Sequence, residues 1–210
     1  MPHVLKVYYY EIRPDEGIMA HWGELGHALI RLKFSVSEFE RGMCNLKDWE
    51  SILRVHYQLQ NYHTATYELA ERLFSFLAAL IGETGGKTKR MLKDPGQQKK
   101  ILASLSKSLN VPVAALKRVV KVLHGDTKLR HISTHKTFIR LAFNNGCGWT
   151  DIEELLDFEE DAKTMGKVVK TIERQGMRLV KEYKLRTEYI DKNINAFLTA
   201  VLPYLSKLIV

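Results

Sequence analysis

Two stretches of this chain repeat apolar side chains at three- and four-residue steps over such lengths that they admit little except helix. In the first, Ile52, Val55, Leu59, Tyr62, Thr66, Leu69, Leu73, Phe76, Leu77 and Leu80 fall on one stripe. In the second, the rhythm runs through Met165, Val168, Ile172, Leu179, Tyr183, Ile190, Ile194, Phe197, Val201 and Leu205, as one long helix or two. Such a stripe is stable in water only when other elements cover it, because an isolated helix gains too little from its own hydrogen bonds.

The segments between supply that cover. Gly82 stops the first helix, and GETGGKTKR reads as a polar loop. Asp94 and Pro95 form the cap and first turn of a helix with Ile101, Leu102, Leu105 and Leu109 on one side and Lys99, Lys100 and Lys107 on the other. Pro112 begins another helix, buried through Val113, Leu116, Val119, Val120 and Leu123, which Gly125 ends. Asp126 or Thr127 caps a further helix running through Ile132, Phe138, Ile139 and Leu141 to about Asn144. Gly146 and Gly148 break the chain, and Thr150-Asp-Ile-Glu153 is a capping box. The expected fold is therefore all-α, an antiparallel helix bundle over 46–210. Residues 1–45 read as a separate N-terminal extension, irregular or β. In it, Val4–Ile12 is β-prone and Arg31–Phe39 reads as a second strand, with Pro14, Gly17, Gly23 and Gly26 between them.

At 45% hydrophobic over 210 residues the chain can build a sizeable core without disulfides. Cys44 and Cys147 have no zinc-site spacing, which fits a reducing compartment. The N-terminus lacks the layout of a signal peptide. The longest apolar run, Phe197–Val210, contains Pro203 and Lys207 and is too short to span a bilayer. A cytoplasmic protein with no membrane partner is expected.

Charge is unevenly spread. The net charge is +8, yet from Lys87 to Arg140 fourteen Lys and Arg face only Asp94 and Asp126, a balance of +12. The remainder holds eighteen bases and twenty-two acids, a balance of −4. A basic middle between mildly acidic flanks is the footprint of a partner with spaced phosphates, with a solvated lysine face as the plain alternative.

Three motifs in or near this middle carry chemistry. Gly82–Thr88 resembles a phosphate loop but is one residue short of GxxxxGK[ST] and follows a helix where that loop needs a strand, so an inter-helix loop is the better account. The segment 101–120 has the cadence of a helix-turn-helix. Its turn lacks glycine and its second helix offers Ala114 and Ala115 where base-reading side chains should be, so Lys117, Arg118 and Lys121 would touch phosphates without reading sequence. Third, Lys128-Leu-Arg130-His131-Ile-Ser-Thr-His135-Lys136 sets an arginine and two histidines near a helix start, with Arg140 following. His131 and His135 are four apart and share a face. Arginine clamps phosphate permanently, and histidine exchanges a proton near neutral pH. Those are the parts that cut RNA without a metal: a base takes the ribose 2′-hydroxyl proton, the oxygen attacks the adjacent phosphate, and a cation stabilises the phosphorane. A metal reading with His124 or Asp126 is weaker, because the positive surroundings repel a divalent cation. His3, His21, His27, His56 and His63 read as structural or surface residues.

Arg130-His131-Ile-Ser-Thr-His135 resembles the signature of the HEPN domains (higher eukaryotes and prokaryotes nucleotide-binding). That signature is an arginine, often followed by Asn, Asp or His, then a histidine after four to six residues, at a helix start in an all-helical bundle. The resemblance covers roughly Leu46 to the C-terminus. It implies a metal-independent endoribonuclease without cofactor, paired as a homodimer and acting in a toxin–antitoxin or defence system with an antitoxin or similar partner. Arg130 would clamp the scissile phosphate, His135 would transfer the proton, and His131 would orient the motif. Lys117, Arg118, Lys121, Lys128, Lys136 and Arg140 would hold the RNA. Members silenced by nucleotidylation often carry tyrosine two residues after the histidine; Thr137 stands there, so that regulation is not expected. A non-catalytic nucleic-acid-binding helical module is the alternative reading, and a purely structural helical protein is a third.

Overall fold

A computed structural model describes residues 17–82, 94–109, 113–123 and 162–208. They form five helices: α1 (Gly17–Cys44), α2 (Trp49–Leu80), α3 (Pro95–Leu109), α4 (114–123) and α5 (Ala162–Leu208). No strand occurs among the described residues. The all-helical expectation holds at this level. Val4–Ile12 and the segment 124–161, with its capping box at 150–153, lie outside the described residues, as does the loop after Gly82.

The strand expected over Arg31–Phe39 is corrected: the whole of 17–44 is one helix and a wall of the core. Its period is helical, with Trp22, Leu25, Leu29, Leu32, Val36, Phe39 and Met43 buried. Gly23 and Gly26 inside it cost about 1 kcal/mol each in helix propensity. Fully burying a large apolar side chain contributes roughly 1.5–3 kcal/mol, and several such residues outweigh two glycines.

A short connection turns α1 into α2. Asp48 caps α2: its Oδ1 accepts from the Ser51 amide at 2.9 Å, while Ser51 Oγ accepts from the Asp48 amide at 3.0 Å. The two helices run antiparallel. Trp22 meets Phe76 edge-to-face at 5.7 Å, Glu24 meets Arg72 at 3.0 Å, and Arg31 meets Glu68 at 2.6 Å. At the far end of α2, Gly82 takes φ +73, a left-handed conformation that glycine adopts without steric cost.

The second apolar stretch is one helix, not two. α5 has 47 residues, about 70 Å at 1.5 Å per residue, and continues through Pro203. It lies antiparallel to α1, as Glu40–Lys184 at 2.6 Å and Lys33–Asp191 at 2.8 Å show. Near the start of this contact Gly176 lets α5 come close: a Cβ there would fall 2.2 Å from Met43 Cε. Among the described residues no helix is long and apolar enough to cross a membrane.

Aromatic rings join α1, α2 and α5. Tyr62 is fully buried and stacks on Tyr183 at 4.1 Å with 10° between planes, and Phe39 packs against Tyr183 at 6.1 Å. His63, also buried, stands edge-on to Tyr183, whose hydroxyl lies 3.5 Å from His63 Nε2. Burial, and then the Arg186 charge, push the His63 pKa down to about 4. His56, buried on the same helix, is lowered by burial as well. Both are structural histidines.

Neutral burial of His63 gives stability a pH dependence. The folded pKa lies below the unfolded value of 6.5, so between the two the unfolded chain binds a proton that the native chain does not. The stabilising effect is complete above about pH 6.5 and is lost as pH falls toward 4. Urea unfolding at pH 7 and pH 4.5 should show the native protein losing roughly 2–3 kcal/mol more than His63→Gln. Equal losses in the two proteins would contradict the assignment.

Candidate nucleic-acid interface

α3 and α4 are short helices, each with a dry side and a charged side. In α3, Asp94 Oδ1 accepts from the amides of Gly96 at 2.8 Å and Gln97 at 3.3 Å, which fixes the helix start. Ile101, Leu102 and Leu105 then turn inward, and Leu116, Val119, Val120 and Leu123 of α4 join the same core. The helical period therefore drives the remaining positions outward. Lys99, Lys100 and Lys107 of α3 are exposed, as are Lys117, Arg118 and Lys121 of α4. The last three share one face, at positions i, i+1 and i+4.

None of these six charges makes an ion pair among the described residues. From Pro95 to Leu123 there is no Asp or Glu. Elsewhere, Lys and Arg form seven ion pairs among the described residues, all within or between α1, α2 and α5. None of the seven involves α3 or α4. The bundle neutralises many of its own bases, whereas the faces of α3 and α4 present a positive field outward, where an anionic partner would be attracted.

Of the sequence-predicted residues, Lys117, Arg118 and Lys121 are exposed on the surface of α4. Ala114 is exposed on the same helix and offers no base-reading group. Arg130, His131, His135, Lys128, Lys136 and Arg140 lie outside the described residues. No group of three or more His, Cys, Asp or Glu able to hold a metal occurs among the described residues. A further set of outward bases, on the first half of α5, was not among the predicted residues. Helical spacing, rather than the summed charge of the flank, is the sequence signal for it.

Replacing Lys117, Arg118 and Lys121 together by Gln should weaken binding to single-stranded RNA of any sequence. The slope of log K against log salt should shrink by about 2, near 0.7 for each phosphate no longer neutralised. Fluorescence anisotropy over a salt series measures this, and an unchanged slope would remove α4 from the interface.

Compared with protein-family models, curated proteins and solved structures, the chain gives no significant match.

Proposed function

We propose that this protein binds RNA through α3 and α4 and cleaves it with Arg130 and His135, as a metal-independent endoribonuclease of HEPN type. The observation that carries the reading is the acid-free stretch from Pro95 to Leu123, whose six exposed bases pair with no acid among the described residues. Seven residues beyond its end comes Arg130, followed by His131 and His135. RNA bound along these faces would be delivered to a segment holding a permanent cation and two proton-exchanging groups.

The chemistry balances without a cofactor. His135 accepts the proton of a ribose 2′-hydroxyl, and the oxygen attacks the adjacent phosphorus. Arg130 stabilises the charge that gathers on the phosphorane oxygens. The bond from phosphorus to the 5′ oxygen breaks, that oxygen takes up a proton, and the products end in a 2′,3′-cyclic phosphate and a 5′-hydroxyl. His131 orients the motif. Arg130 and His135 are five residues apart and diverge by about 140° on an ideal helix. Two copies facing one another would complete a cleft that one helix does not, which is the reason for proposing a homodimer. A toxin–antitoxin or defence role, with an antitoxin as partner, belongs to the same proposal.

The second reading, an RNA-binding module that does not cut, is favoured by one feature: the outward bases of α4 need no motif at 130–135 to hold phosphates. Cleavage of labelled single-stranded RNA in excess EDTA separates the two. Native protein should cut, and Arg130→Ala and His135→Ala should each lower the rate about 100-fold or more while still binding. RNA bound by all three proteins but left intact would retire catalysis and leave the binding module.

A further inference from the structure

The two halves of α5 treat charge differently. From Glu182 onward acids and bases are interspersed, and pairs form: Arg186 with Glu182 at 2.7 Å, Lys184 with Glu40 at 2.6 Å, and Asp191 with Lys33 at 2.8 Å. Before Glu182 the pattern changes. Lys170, Arg174, Arg178 and Lys181 follow one another at steps of four, four and three, all exposed, and none makes an ion pair with a described residue. Those steps line the four up on the side of the helix turned away from buried Ile172, Val180 and Tyr183. The one acid between Lys170 and Lys181 is Glu173, about 60° or more off the line.

Like charges four residues apart repel on a helix surface, so this row works against the element that carries it. Among the described residues no neighbouring helix sends an acid to relieve it, although α1 does so for Lys184. An external anion would. From Lys170 to Lys181 the row spans about 16 Å along the axis, long enough to meet several phosphates of one strand. It is one residue wide, which suits a single strand better than the two backbones of a duplex. A lipid surface fits less well, because an interfacial helix needs a free apolar face and that of α5 is spent in the core. Among the described residues of this half Met177 is the one large exposed apolar side chain.

We propose that Lys170, Arg174, Arg178 and Lys181 form a second phosphate track that binds the backbone of single-stranded RNA in addition to α3 and α4. The proposal rests on RNA being the partner, but not on cleavage. The test therefore uses a fluorescent 15-nucleotide oligouridylate with 2′-O-methyl riboses, which cannot be cut by 2′-oxygen attack. Its affinity is measured from 50 to 300 mM KCl for the native protein, Lys170→Gln/Arg174→Gln/Arg178→Gln/Lys181→Gln, Lys170→Arg/Lys181→Arg, and Lys117→Gln/Arg118→Gln/Lys121→Gln. Circular dichroism checks that each is folded.

The α5 Gln variant should bind at least tenfold more weakly at 100 mM KCl, with a salt slope reduced by about 2 to 3, while the Arg variant keeps the native slope. A native slope in the α5 Gln variant, with a reduced one in the α4 variant, overturns the track and leaves RNA binding standing. Absence of any salt-dependent affinity in the native protein overturns both. Phosphatidylserine vesicles form a final arm: loss of vesicle binding by the α5 Gln variant, with its RNA slope unchanged, assigns the row to lipid and also overturns the proposal.

Discussion

Tyr183 is the point at which three helices agree on their register. It projects from α5, stacks on Tyr62 of α2, and touches Phe39 of α1. A well-placed aromatic pair contributes about 0.5–1.5 kcal/mol beyond the area it buries, and here one ring takes part in two contacts, one stacked and one tilted. The geometry also fixes polar atoms, since the Tyr183 hydroxyl can approach Nε2 of buried His63 only if α2 and α5 hold this alignment. Sliding α5 by one turn would separate ring from ring and leave the imidazole against apolar surface. Once Tyr183 is seated, the face of α5 that meets solvent is decided along the rest of the helix.

Around this junction charge is sorted by position. Between α1, α2 and α5, bases find acids on neighbouring helices, as Arg31 does with Glu68 and Lys33 with Asp191. Such exposed pairs contribute little stability each, about 0–1 kcal/mol. Their effect on the field is larger, because paired charges cancel at a distance while unpaired ones add. The outward bases of α3, α4 and the first half of α5 are thus left as the concentrated positive surfaces of the described residues, and the proposed interface follows from that contrast rather than from net charge.

The helical stripes of α2 and α5 were legible because both are long, and a three-to-four-residue period sustained over that length has no competing interpretation. α1 was not. In Arg31–Phe39, Leu32, Phe34 and Val36 alternate as a strand would, while Leu32, Val36 and Phe39 also fit a helix. Packing decides for the helix: those three are buried and Phe34 is 63% exposed. A nine-residue window cannot choose between two periods that share two of their positions. The cap at Asp48 lacks the usual sequence signature for a chemical reason, since its reciprocal partner is the Ser51 hydroxyl and not the Glu or Gln usually found there. Basic α4 could be read from sequence because Lys117, Arg118 and Lys121 lie close together with no acid between them. The row on α5 could not be read from a summed balance, because nearby acids on other faces of the same helix hide it.

We propose that RNA lies on these basic faces, and photo-crosslinking distinguishes them from the rest of the bundle. Single-stranded RNA containing 4-thiouridine would be bound to the native protein, irradiated, and the attached peptides identified by mass spectrometry. Crosslinks are expected in peptides from 95–123 and from the first half of α5, with α1 and α2 largely unlabelled. Crosslinks concentrated on α1 and α2, where the bases are paired, would contradict it.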